Sequence, residues 1–276
     1  MKQFHLHLVS DSTGETVSSV SRAALAQFDT VDADEHIWSL VRTKAQMERV
    51  IAGIQLHQGM VLYTIVDKRL RDQLKSECLK MGVPCIPAIA GIVSEMATYL
   101  QVETSNMPGR QHELNDEYFS RVEAINYALA HDDGQAHWEL DDADIVLVGP
   151  SRTSKSPTCI YLAYRGYKAA NIPYVKGCPL PPELETLKKP LLVGLTIDVE
   201  RLLQIRRTRL QSLKQEEHTN YIDVEEVRKE ITESRRFYMQ HRWPIIDVTR
   251  RSVEETSAHI IQLHQKRMEQ QFNDDA

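Results

Sequence analysis

Residues 145–158 read Ile-Val-Leu-Val-Gly-Pro-Ser-Arg-Thr-Ser-Lys-Ser-Pro-Thr. Four apolar, largely β-branched residues run into Gly149, and Lys155-Ser156 follow at the spacing of a phosphate-binding loop. Such a loop works because backbone N–H groups and a helix start face an anion, while a lysine adds a full charge. The required context is present. A buried-type strand precedes Gly149, and Pro157 suits the first turn of a following helix, where its missing N–H costs nothing. Ser154 departs from the pattern, standing where glycine is usual and the backbone turns left-handed. A serine there costs on the order of 1 kcal/mol, less than a charged contact to phosphate returns. A polar turn capped by Ser156 would explain the serines, but not Lys155 and Arg152 together. Gly149, Pro150, Ser151, Arg152, Thr153, Ser154, Lys155 and Ser156 are therefore the expected phosphate-binding residues. Lys155 would reach the terminal phosphates and the Ser156 hydroxyl would bind Mg2+.

Outward from the loop, strand-like and helix-like segments alternate, which predicts an α/β protein with mostly parallel sheets. Toward the N-terminus, strands are expected over 4–9, 36–41 and 60–66, and helices over 15–28, 44–57 and 67–81. Residues 103–114 lack apolar periodicity and contain Pro108-Gly109. The expected division is thus an N-terminal α/β domain at 1–103, a linker at 104–115, and a phosphate-loop-type domain at 116–276. In the latter, helices are expected over 115–131, 157–170, 199–213 and 225–240, and strands over 144–148, 173–176, 191–197 and 245–248. Ser252 to Glu255 fits a capping box opening the last helix.

The composition narrows the function classes. With 276 residues and a net charge of −6, a broad nucleic-acid surface is not expected. Four cysteines without C-x-x-C spacing argue against a zinc ribbon or a thiol-redox centre. No apolar run approaches the roughly 20 residues that span a bilayer, and the first residues do not resemble a signal peptide. The expectation is a reduced, cytoplasmic protein with no nucleic-acid or membrane partner; the sequence leaves monomer and homo-oligomer open.

A transferase acting on phosphate also needs carboxylates. Asp132 and Asp133, in a short turn after His131, are the candidate bases; a solvated helix stop is the alternative. Asp198 ends the run Leu-Leu-Val-Gly-Leu-Thr-Ile-Asp and is the candidate Mg2+ ligand, though it also suits an N-cap; Asp247 shares that ambiguity. Ser10 to Thr16 forms a second strand–loop–helix junction. Asp11, Ser12, Thr13 and Gly14 could hold phosphate or a phosphorylated substrate, or Ser12 to Glu15 could form a capping box. His5 and His7 share a strand face but show no third ligand, so no metal site is expected there. Arg201, Arg206, Arg207 and Arg209 spread round one helix and read as a solvated face or a docking patch.

Gly149 to Pro173 resembles the signature of the pyruvate, phosphate dikinase regulatory proteins, a kinase and pyrophosphorylase family. Their loop has the form G-V-S-R-T-S-K-T-P-T, so serine at the sixth position belongs to the pattern. Pro150 and Ser156 depart from it, and Ser156 keeps the hydroxyl. The resemblance extends through Val9 to Thr16, His131 to Gly134, Gly194 to Leu210 and Ile246 to Glu255. The sister group acting on phosphoenolpyruvate synthase tends to carry C-G-K where this chain has Thr153-Ser154-Lys155. The resemblance implies ADP as phosphoryl donor to a threonine of pyruvate, phosphate dikinase, which is thereby inactivated. It also implies a reverse reaction in which inorganic phosphate removes that group as pyrophosphate. Gly149 to Ser156 then become the ADP site. The alternatives are the same chemistry on phosphoenolpyruvate synthase, a phosphate-loop kinase for a small metabolite, or an ADP-sensing module without turnover.

Overall fold

The computed structural model describes residues 2–105, 107, 116–213 and 220–274. The chain divides into two compact units, residues 1–113 and 114–276. Most of the expected linker at 104–115 lies outside the described residues.

The first unit runs β1 (Lys2–Ser10), α1 (Glu15–Leu25), β2 (Val31–Trp38), α2 (Lys44–Leu56), β3 (Gly59–Thr64), α3 (Lys68–Met81), β4 (Cys85–Pro87) and α4 (Ala90–Leu100). Its four strands are parallel, in the order β2-β1-β3-β4. Side-chain alternation along β1 sorts the core. Leu6 and Leu8 pack with Val17 on one face, while Val9 joins Met47, Val50, Ile54, Val61, Tyr63 and Leu74 on the other. Helix α2 begins where Thr43 and Gln46 cap one another reciprocally, and Gly82, at φ 67°, ends α3.

The second unit runs α5 (Asp116–Ala130), β5 (Ile145–Gly149), α6 (Lys155–Tyr164), β6 (Ala169–Pro173), β7 (Leu191–Thr196), α7 (Val199–Leu213), α8 (Val224–Gln240), β8 (Ile245–Asp247) and α9 (Val253–Asp274). Short 3-10 turns cover Asp132–Gly134, His137–Asp142, Pro182–Glu185 and Asn220–Ile222. The strands are again parallel, in the order β6-β5-β7-β8. All of β5 is buried, which is why it reads as an unbroken apolar run rather than an alternating one. Ile145 and Leu147 face Leu162, Val193, Leu195 and Ile260. Val146 and Val148 face Leu140, Ile172 and Tyr238.

The α/β class and the parallel sheets match the sequence expectation. Several boundaries do not. The helix expected over 157–170 ends at Tyr164, because Gly166 takes φ 89° and turns the chain back. The strand expected over 173–176 lies instead at Ala169–Pro173, alongside β5. β4 and α4 were not anticipated: three residues carry no readable period, and α4 buries no residue in its unit. Among the described residues, no helix is long and apolar enough to cross a membrane.

Packing across β7 is tight at Gly194, where an added Cβ would lie 2.3 Å from the Tyr238 ring. Gly194→Ala is therefore predicted to destabilise the protein by about 1–3 kcal/mol. Chemical denaturation measures this, and Tyr238→Leu in the same chain should recover part of the loss.

Candidate functional site

The loop between β5 and α6 is built around the carbonyl of Pro150. The Thr153 hydroxyl donates to it at 2.9 Å and Lys155 Nζ at 3.0 Å, both inside the loop. Gly149 permits this curl. A Cβ there would stand 2.8 Å from Thr153 Oγ1 and 3.2 Å from the Leu195 carbonyl oxygen. Two non-glycine residues turn left-handed, Arg152 at φ 73° and Ser154 at φ 59°. Ser154 is held there through its carbonyl, which accepts Thr158 N–H at 3.1 Å and the Thr158 hydroxyl at 2.7 Å. Its own hydroxyl makes no cap hydrogen bond although it occupies the N-cap of α6. The helix start is thus not closed by its cap side chain, as a serine-capped polar turn would be.

Lys155 is 5% exposed. Burial pulls its ammonium down to about 8, against the pull of Asp133, Cys159, Glu230 and Asp132, which favour the charged form. The Ser156 hydroxyl donates to Asp132 Oδ1 at 2.7 Å, and Asn171 Nδ2 donates to the same oxygen. Asn171 Oδ1 in turn accepts Asp133 N–H at 3.2 Å, so one β6 side chain fixes the whole Asp132–Asp133 turn. Asp133 takes φ 51°, is exposed, and lines a cleft of about 590 Å³ with Arg152, Ser154, Lys155, Ser156 and Ile205. The acidic pair and the loop, 16 residues apart from Asp133 to Gly149 in the sequence, are thereby brought together.

Asp198 and Asp247 are placed differently. Asp198 caps α7, accepting Arg201 N–H at 3.0 Å, and it is not among the cleft residues. Asp247 accepts the Thr249 N–H and hydroxyl.

Arg206 corrects the reading of its helix as a solvated face. Arg201, Arg207 and Arg209 are exposed, but Arg206 is buried. It pairs with Glu230 at 2.9 Å, lies 4.4 Å from the Tyr221 ring centroid, and donates to the Ser151 carbonyl at 3.2 Å. Arg206, Tyr221, Glu230 and Asn171 were all missed from the sequence. The signal for Arg206 was its spacing: it falls four residues after Leu202 and four before Leu210, on the apolar stripe of α7.

In the first unit, Gly14 at φ 87° is the N-cap of α1, with no side-chain cap bond, so the capping box over 12–15 does not form. Asp11 is buried with its carboxylate on Val66 N–H at 2.6 Å, and its backbone carbonyl accepts Arg42 Nε–H at 2.7 Å. Burial raises its carboxyl above the ordinary range. Asp11 thus joins the ends of β1 and β3, and the Ser12 carbonyl accepts Leu40 N–H at 2.9 Å. The expectation that His5 and His7 lack a third ligand fails, because His36 and His57 stand beside them.

The family described as Kinase/pyrophosphorylase matches residues 6–261. The chain belongs to that family. Its relatives include a protein of Paramagnetospirillum magneticum, 53% identical over 269 residues that cover 98% of this chain and 86% of the relative. A Caulobacter vibrioides protein is 51% identical, covering 94% of this chain and 82% of its own. One from Anaplasma phagocytophilum is 50% identical, with 95% and 94% covered. All three are named, provisionally, as pyruvate, phosphate dikinase regulatory proteins. Family membership makes the chain a phosphotransferase of the kinase/pyrophosphorylase kind, and the match spans both units.

Two outcomes follow from the loop geometry. An anion beside Lys155 must raise its depressed ammonium, so any phosphate group bound there would take up a proton above pH 8 and bind more weakly as pH rises further. Titration calorimetry of ADP at pH 8.5 in buffers of different ionisation enthalpy should show uptake, and Lys155→Met should abolish it. Ser154→Gly should change stability by no more than about 1 kcal/mol, whereas Ser154→Val should lose about 1–3 kcal/mol, as read by denaturant midpoints.

Proposed function

We propose that the protein is a bifunctional regulator of pyruvate, phosphate dikinase, inactivating it by ADP-dependent phosphorylation of a threonine and reactivating it with inorganic phosphate. The observation that carries this reading is the buried Lys155, set under a loop whose helix start no side chain caps, with Asp132 and Asp133 at its rim. The names of the relatives supply the target protein.

In the forward direction the threonine oxygen attacks the β-phosphorus of ADP. An O–P bond forms, the bridging O–P bond to the α-phosphate breaks, and AMP leaves. The exposed Asp133 takes the hydroxyl proton, since its carboxylate lines the cleft and carries none of the loop's internal bonds. Lys155 follows the charge on the transferred group, exchanging its bond to Pro150 for phosphate oxygens. Arg152 adds a second cation at the cleft wall. In the reverse direction an oxygen of hydrogen phosphate attacks the phosphothreonine phosphorus and gives its proton to Asp133. The bond from that phosphorus to the threonine oxygen breaks, the threonine oxygen takes the proton from Asp133, and pyrophosphate leaves Lys155. The same lysine serves both reactions because each transfers one phosphoryl group between a threonine and a phosphate oxygen.

The hydroxyl of Ser156 and the carboxylate of Asp132 form a pair of hard oxygen donors suited to Mg2+. We assign the metal to them in preference to Asp198, whose carboxylate caps α7. When bound, Mg2+ neutralises charge on the phosphates. Asn171 holds Asp132 in place for this role. The Asp11–Gly14 turn remains a second candidate for the phosphate or phosphothreonine, at the N-terminus of α1.

The test is incubation with pyruvate, phosphate dikinase and β-labelled ADP, with labelled ATP and phosphoenolpyruvate synthase as controls. Label should appear on a dikinase threonine from ADP, and phosphate should release it as pyrophosphate. Lys155→Ala should cost at least about 100-fold in both directions, and Asp133→Asn should lower the forward rate more than ADP affinity. Labelling from ATP alone, or ADP binding without transfer to either protein, would overturn the proposal.

A further inference from the structure

The first unit holds a cluster of imidazoles that phosphoryl transfer does not use. The parallel register of β1 and β2 sets Asp34 beside His5 and His36 beside His7, on one face of the sheet. His57, between α2 and β3, closes on that face, its ring 5.0 Å from His5 and 5.1 Å from His36. One ring nitrogen from each of His5, His36 and His57 lies within 4.8 Å of the others.

Three donor atoms, from His5, His36 and Asp34, stand closest together. His5 Nδ1 is 3.1 Å from His36 Nε2 and 3.1 Å from Asp34 Oδ2, and His36 Nε2 is 3.7 Å from the same carboxylate oxygen. Zinc–nitrogen bonds of about 2.0–2.1 Å place tetrahedral ligands about 3.3–3.4 Å apart, so this triangle has the size of one tetrahedral face. His5 and His36 present ring nitrogens to each other, and one of the two must lend a proton if nothing else joins them. A divalent cation bonds both at once and uses the Asp34 charge.

His7 is excluded from the ligand set and orients it. It is fully buried, its Nδ1 accepts the Trp38 indole N–H at 3.1 Å, and its Nε2–H donates to the His57 carbonyl at 2.8 Å. Those two bonds fix one neutral tautomer. Its ring stacks on His36 at 4.6 Å with a 15° interplanar angle. His7 thereby packs against His36 and holds the backbone of His57, positioning two of the ligands. His5, His36 and His57 are half-buried and Asp34 is exposed, and a cleft lined by Gln3, His5, Asp34 and Gln58 gives solvent access to two of the four.

We propose that His5, His36, His57 and Asp34 form a four-coordinate site for Zn2+ or a chemically similar divalent transition ion. Three imidazoles and a carboxylate suit zinc and not magnesium. The site lies along the middle of β1 and β2, whereas the Ser10–Gly14 turn follows the C-terminal end of β1. Its role is structural. β2 is an edge strand with few buried side chains, and the ion ties it to β1 and to the turn before β3.

Untagged full-length protein, stripped with chelator, is titrated with ZnCl2 by calorimetry and with CoCl2 by visible absorption. The expected results are one tight equivalent per chain, a tetrahedral cobalt spectrum, and a melting temperature raised by zinc. His36→Gln with His57→Gln should weaken zinc at least about 100-fold, and Asp34→Asn, at an exposed position, should weaken it while leaving far-UV circular dichroism unchanged. Absence of a site tighter than about 10 μM, an octahedral cobalt spectrum, or an undiminished equivalent in the double variant would overturn the proposal.

Discussion

An ammonium group buried under a turn of backbone is the constraint from which the second unit's site follows. Lys155 Nζ has a single protein acceptor in the loop, the Pro150 carbonyl, and little water. Desolvation there opposes its charge, and the nearby acids offset this only in part. Such a group gains most when an anion enters, so burial favours an anion beside it. To hold the lysine, the loop must curl tightly, which requires Gly149 against Leu195 and left-handed turns at Arg152 and Ser154. The curl rests on β5, buried on both faces between β6 and β7.

The surrounding groups are arranged to keep that loop from relaxing. Arg206, neutralised by Glu230 and stacked on Tyr221, holds the Ser151 carbonyl from one side. Asn171 holds Asp132 and the Asp133 amide from the other, and Asp132 holds Ser156. Thr158 anchors the Ser154 carbonyl from within α6. Most of these braces act on backbone; the Arg152 and Asp133 side chains line the cleft, Arg152 with its Nε donating to the Tyr221 hydroxyl at 3.4 Å. A preorganised set of charges of this kind suits phosphoryl transfer, where positioning and electrostatics carry most of the catalysis.

What the sequence made legible was local. The run Ile145 to Gly149 announced a central strand, and Lys155-Ser156-Pro157 announced a loop opening a helix, because strand, loop and cap signals sit within a dozen residues. The proximity of Asp132 to Ser156 was not spelled out, since it depends on β6 placing Asn171 between them. β6 itself was displaced by several residues, its first two, Ala169 and Ala170, reading as the tail of a helix that in fact ends before Gly166. The histidine cluster was hidden for a related reason. His5, His36 and His57 come from three segments, and only the pairing register of β1 with β2 brings them onto one face. Arg206 was discounted because its charge outweighed its position on the apolar stripe of α7.

Each unit carries a parallel sheet with a strand–turn–helix junction at the C-terminal end of a central strand, Ser10 to Glu15 in one and Gly149 to Lys155 in the other. Among the described residues, only the second combines a buried lysine with paired acids. The most direct measurement is a crystal structure of the protein with ADP and Mg2+. The account predicts β-phosphate oxygens within hydrogen-bonding reach of Lys155 Nζ and of the backbone N–H groups between Arg152 and Ser156, with Asp133 facing the β-phosphorus. Nucleotide bound elsewhere, with Lys155 still on the Pro150 carbonyl, would contradict it.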